Sequence, residues 1–186
     1  MLFRSLSQVE GIAVAVGPGS FTGLRIALST AKGLAVAADK PLVGVSTLEA
    51  MAWTLPFCAY LICPILDARK GEIYCSLFRH EGGRLIRVMD EAALSPDILI
   101  SRIQEQTVFI GDGLAVYADL LKGRLKELAL FPPFSQRGGR AAAVAELGRR
   151  RFLQGERDEI SGLAPRYLRP SEAELRRLGT RAQSAS

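Results

Sequence analysis

Short apolar runs alternate along this chain with longer segments of helical spacing, the pattern of an α/β protein. Residues 12–16 form a β-branched and alanine run that ends sharply at Gly17-Pro18-Gly19, and a helix-favouring segment follows to Ala38. Between Leu24 and Ala38 the only charges are Arg25 and Lys32. That helix has no broad polar face, so it must be covered on more than one side. One stripe carries Leu24, Leu28, Ala31 and Ala35; a second carries Ile26, Ser29, Thr30, Gly33 and Ala37, small enough for a neighbouring backbone to come close.

The pattern continues with a buried strand at 42–45 and a short helix at 47–53, where Ser46 and Glu49 have the spacing of a capping box. Leu55-Pro56 interrupts the periodicity and marks a boundary between lobes. Beyond it a strand at 59–66 precedes a hairpin, 72–79 with 84–89, turning at Glu81-Gly82-Gly83. Ser95-Pro96 opens a helix, 108–110 is a strand closed by Gly111-Asp112-Gly113, and helices follow at 114–121 and 141–153. Residues 161–170 read as extended, 171–178 as a terminal helix before a Ser/Ala tail, and 1–10 as the end of a helix and a connection. The expected division is 1–55, 56–170 and 171–186.

Two glycine turns carry candidate chemistry. Gly17, Gly19, Ser20 and Thr22 lead into a helix whose first N–H groups lack intrahelical partners, and Arg25 in the first turn opposes the helix dipole unless something negative docks there. The same residues also serve as plain punctuation, with Ser20 or Thr22 as cap. A P-loop would end in Gly-Lys-Ser/Thr, whereas this loop offers Gly23-Leu24-Arg25. Gly111, Asp112 and Gly113 carry the same two readings, nucleotide loop or strand-to-helix turn. Asp67, Arg69 and Glu72 form a polar turn that could serve acid/base chemistry or close on itself as an ion-paired turn.

Composition narrows these options. With 48% hydrophobic and 23% charged residues the chain is an ordinary globular one, and no apolar run is long enough to cross a bilayer. Cys58, Cys63 and Cys75 form no CxxC pair and read as buried thiols. The one histidine, His80, is expected at an exposed hairpin tip and argues against a histidine-based metal site. The net charge of +5 arises in the last third, where Arg149, Arg150, Arg151, Arg166, Arg169, Arg176, Arg177 and Arg181 suit either RNA phosphates, an acidic partner or a solvated helix face.

The string VAVGPGSFTGLRIALSTAKGLAVAA at 14–38 is followed in order by PLVGVSTLEA, LDARKGEIY, GDG and PRYLRP. These landmarks resemble the TsaB family, also called YeaZ, bacterial subunits of tRNA threonylcarbamoyladenosine formation. The resemblance implies an actin-like ATPase (ribonuclease-H-like) α/β fold, with the first lobe truncated because the family's opening strands, Asp-Thr-Ser-like loop and first helix have no counterpart before Gly11, and with the second lobe complete. It implies a cytoplasmic, non-catalytic scaffold with no cofactor, no metal and no membrane attachment. The implied partners are the transferase TsaD, the ATPase TsaE, a second copy of the chain, and tRNA through the complex. Partner contact would fall on Leu24, Ile26, Ser29, Thr30, Gly33 and Ala37. The rival expectation is an actin-like enzyme, a glycoprotease-like peptidase or an ATP-dependent small-molecule kinase.

Overall fold

The structure, a computed structural model, describes residues 5–132 and 140–169. β1 (Ile12–Gly17) and β2 (Leu42–Ser46) pair in parallel, from Ile12 opposite Leu42 to Ala15 opposite Val45. Alternation along β1 assigns its two faces. Ile12, Val14 and Val16 meet the stripe Leu28, Ala31 and Ala35 of α1 (Phe21–Ala37), while Ala13 and Ala15 face α5 (Arg140–Leu153). The large residues thus point to one helix and the small ones to the other, and β1 is sandwiched. Before it, Leu6–Gln8 forms a single 3-10 turn rather than the end of a longer helix.

The second sheet has the order β5-β4-β3-β6-β7, built from β3 (Leu61–Arg69), β4 (Glu72–Glu81), β5 (Arg84–Leu94), β6 (Thr107–Ile110) and β7 (Ala129–Leu130). β3, β4 and β5 run antiparallel in sequence, whereas β6 and β7 extend the sheet in parallel from β3. This is the ribonuclease-H-like strand order. Alternation again divides the faces: Cys63 and Ile65 of β3 pack with α3 (Pro96–Arg102) and α4 (Leu114–Leu125), and Ile62 and Leu66 pack with α2 (Thr47–Trp53).

Local signals place the helix starts. The side chains of Ser20, Ser46 and Ser95 each accept a hydrogen bond from the backbone N–H three residues on, at 3.2–3.4 Å. The capping box at Ser46 forms only in part, since the Glu49 carboxylate turns to Arg87 at 3.7 Å.

Three expectations change. The strands of the two sheets divide between residues 46 and 61, near the expected boundary, but the helices do not follow that division. α2 lies in the core of the second sheet, and α5 returns to the first, so 56–170 is not a unit by itself. His80 lies within β4 with its ring 6.2 Å from that of Trp53, and its Nε2 is buried without a partner among the described residues, so it is not at an exposed tip. Cys63 and Cys75 are buried thiols whose titration burial pushes up, to about 12 for Cys75, while Cys58 is half-buried. The predicted helix at 171–178, the tail, and Arg176, Arg177 and Arg181 lie outside the described residues.

Candidate functional site

The outer face of α1 is open. Ile26 is 63% and Val36 68% exposed, Leu34 is partly so, and Ser29, Thr30, Gly33 and Ala37 are exposed beside them. A Cβ built on Gly33 meets nothing within 4 Å. Leu24 belongs elsewhere: it is 8% exposed and reaches back over Gly17, so of the six residues expected at a partner contact it is the one the fold keeps for its own core. Its position on the same stripe as Leu28 explains why.

The start of the glycine loop before α1 is covered by the chain itself, while Gly19, Ser20 and Thr22 stay exposed. Residues 158–169 cross the end of β1 as a strap: the Arg166 N–H donates to the Val16 carbonyl at 2.7 Å, and a Cβ on Gly17 would lie 2.7 Å from the Arg166 carbonyl oxygen. Gly19 makes looser contact, with Leu24. Ser20 caps the helix, and Thr22 is exposed. Arg25 does face a partner, but a neutral one: its Nε donates to the Tyr167 hydroxyl at 3.0 Å, its guanidinium lies over the Phe21 ring, and Phe21 stacks on Tyr167. The cation in the first turn thus fastens the strap.

The Gly111-Asp112-Gly113 turn is held by β3. Gly111 has φ +115°, and a Cβ there would run into the Ile65 carbonyl oxygen, so only glycine lets the turn lie against the strand. Gly113 N–H donates to that carbonyl at 3.3 Å, and Asp112 accepts from the Asp67 N–H at 3.3 Å. Asp67 in turn accepts from the Arg69 N–H at 2.8 Å, and Glu72 pairs with Arg169 of the strap at 3.1 Å. Asp67 and Glu72 therefore serve different neighbours and do not form a carboxylate pair.

What sequence reasoning missed is a charged cleft of about 550 Å³ where β2, α2, β5, α5 and the strap converge. Three of its lining residues are tied to Glu91, which does not itself line the cleft and whose side chain is 3% exposed. It accepts from the Ser46 hydroxyl, from Arg87 at 3.3 Å and from Arg166 at 3.2 Å. Burial raises the pKa of neighbouring Glu49, with Arg87 opposing the shift. Arg151 donates to the Gly44 carbonyl and pairs with Asp158 at 3.1 Å and Glu156 at 2.7 Å. Burial alone would push the Asp158 carboxyl up, but the bonds from Arg151 and the Gly44 N–H together hold it below its ordinary value. Arg149 forks onto Glu146 and Arg150 donates to it through Nε, and these hydrogen bonds lower the Glu146 carboxyl to about 2. The basic cluster is therefore largely spent within the fold. Only the adjacent acids Asp90 and Glu91, in a strand end rich in apolar residues, hinted at Glu91; apart from Arg87 its partners lie 45 and 75 residues away.

Comparison with known proteins bears on these features. Residues 4–176 match the family model described as "TsaD: tRNA N6-adenosine threonylcarbamoyltransferase". The tRNA threonylcarbamoyladenosine biosynthesis protein TsaB of Bacillus subtilis is 33% identical over 91% of this chain and 73% of its own length. The protein of the same name from Escherichia coli is 39% identical over 63% of this chain and 54% of its own length. Among solved structures, YeaZ from Pseudomonas aeruginosa superposes with a TM-score of 0.69 at 27% identity, covering 88% of this chain and 76% of that one. The chain belongs to the family that the TsaD model describes and, within it, to the TsaB (YeaZ) branch.

Proposed function

We propose that this chain is a non-catalytic scaffold subunit of tRNA threonylcarbamoyladenosine formation. It pairs with the transferase TsaD through the outer face of α1 and works beside the ATPase TsaE on the adenosine 3′ of the anticodon in tRNAs reading codons that begin with A. The supporting observation is the open face itself: Ile26 and Val36 exposed around Ser29, Thr30, Gly33 and Ala37, on a helix with too few charges to be a solvent face. The names of the relatives supply the pathway, and the family model supplies the kinship with the transferase. tRNA is reached through the complex, in the cytoplasm.

The enzyme reading has less support, because the strap lies against Gly17 at the start of the glycine loop and the polar groups at Asp67 and Glu72 are tied to separate partners. An ATP-hydrolysis assay on the purified chain separates the two, with no turnover expected.

Gly33→Leu tests the interface. The new side chain meets open space in the isolated protein, so the monomer should stay folded and gain slightly in helix propensity. At a close helix contact it should cost about 1–3 kcal/mol, up to roughly a hundredfold in affinity for TsaD. Undiminished pull-down of TsaD by a folded variant would move the interface off α1; equal loss of self-association in size exclusion would point to a second copy as the occupant.

A further inference from the structure

We propose that the cleft between the start of β5, α2 and α5 is a binding site for a small organic phosphate, gripped by Arg84 and Arg150. Its volume of about 550 Å³ falls within the range of small-molecule sites, about 300–1,000 Å³. Guanidinium groups enter it from separate elements, Arg84 and Arg87 from β5, Arg150 and Arg151 from α5, and Arg166 from the strap. Gathering like charges in a recess is unfavourable unless anions neutralise them.

The neutralisation is uneven. At the inner end Glu49 and Glu91 answer Arg87 and Arg166, and Asp158 with Glu156 answers Arg151. Towards α5, the single carboxylate of Glu146 is shared by Arg149 and Arg150. Arg84, also lining the cleft, makes no ion pair or side-chain hydrogen bond among the described residues. One rim of the cleft therefore carries positive charge that the described residues do not balance.

The geometry of Arg150 suits it to a ligand. Its guanidinium lies over the Trp53 ring at 4.0 Å, which fixes the plane, and among the described residues only its Nε is committed, to Glu146 at 3.0 Å. The remaining N–H groups form a fork of the kind that takes phosphate oxygens in pairs. Leu85, Leu147 and Val16 supply apolar wall for an organic part, and Gln154 a neutral donor and acceptor. The recess favours a free small molecule over an RNA backbone, which is read along an open surface. This site shares no residue with the outer face of α1, so it stands apart from the scaffold reading.

The test is calorimetric titration of the full chain with pyrophosphate, adenosine monophosphate and a short single-stranded RNA in separate arms. Saturable binding of pyrophosphate or adenosine monophosphate is expected, weakening with salt. It should fall at least about tenfold in the Arg84→Gln/Arg150→Gln double variant. Arg124→Gln, which removes an exposed arginine paired with Asp97 outside the cleft, should leave it unchanged. Circular dichroism checks each fold, and if the double variant does not fold, Arg84→Gln alone decides, since Arg84 is exposed and its side chain holds nothing among the described residues. No saturable binding of either small phosphate, equal binding by the Arg84→Gln variants, equal loss in Arg124→Gln, or binding of RNA alone would overturn the proposal.

Discussion

Arg151 joins three parts of the chain through one guanidinium: α5 that carries it, the Gly44 carbonyl on β2, and the acids Glu156 and Asp158 that follow the helix. Its side chain is 30% exposed and that of Asp158 27%, so water screens the pair in part, and Arg151→Ala should cost about 1–2 kcal/mol. In a chain of this size that lowers Tm by roughly 2–8 °C, which calorimetry reads directly; a change within error would mean the fork is ornamental. The pH dependence has a definite sign. Asp158 and Glu146 both have carboxyls held below their ordinary values, Glu146 to about 2. Their contribution is therefore full above about pH 4, where the unfolded groups ionise, and is lost as pH falls through the folded values. The Arg151→Ala variant should show a shallower acid limb than the parent between those limits.

Helices α1 and α5 cover opposite faces of one small sheet by opposite means. α1 meets the bulky residues of β1 with Leu28, Ala31 and Ala35, whereas α5 lies close to Ala13 through Gly148, whose added Cβ would collide with that of Ala13. Gly148→Ala is favourable for an isolated helix by under about 1 kcal/mol, yet here it should destabilise by about 1–3 kcal/mol as the helix is pushed off the strand. Urea denaturation distinguishes the two signs. A stabilised Gly148→Ala protein would show that α5 shifts freely and does not set the spacing of this layer.

The two sheets are joined by the strap as well as by α2. Residues 158–169 pair with β2 at Leu42, lie on Val16 and Gly17, stack Tyr167 on Phe21, and carry Arg166 and Arg169 across to Glu91 and Glu72 of the second sheet. The strap also reaches α1 through Lys32, which donates to the Ser161 carbonyl at 3.1 Å. Tyr167→Ala removes the stack and the hydrogen bond from Arg25, so the strap should open more often than the sheets beneath it. Hydrogen exchange of the Arg166 amide should rise about tenfold, the equivalent of about 1.4 kcal/mol, with β3 and β4 unaffected. Uniform protection across 158–169 in both proteins would mean that the ion pairs alone hold the strap.

How far these arrangements were legible in the sequence depends on the length of chain between the partners. Ser20, Ser46 and Ser95 act within four residues, and the Leu24, Leu28, Ala31 and Ala35 stripe within one helix face; both were readable because spacing and capping chemistry belong to the local chain. The order of strands followed from the same patterns, apart from the short β7, whose two residues are too few to show a period. His80 was misplaced because a polar residue beside a glycine turn gives no sign of a tryptophan waiting on another element. Leu24 was counted with the outer face although its own stripe is the buried one. By itself the sequence determined the α/β class, the helix starts, the open stripe of α1 and the motifs of the family. Only the tertiary structure decided that the chain's own strap is fastened beside the glycine loop, that α5 returns to the first sheet, and that Glu91 ties together two arginines of the cleft. Those contacts join residues 142, 107 and 75 positions apart, and at such separations the path of the folded backbone, not the spacing of residues, sets which groups meet.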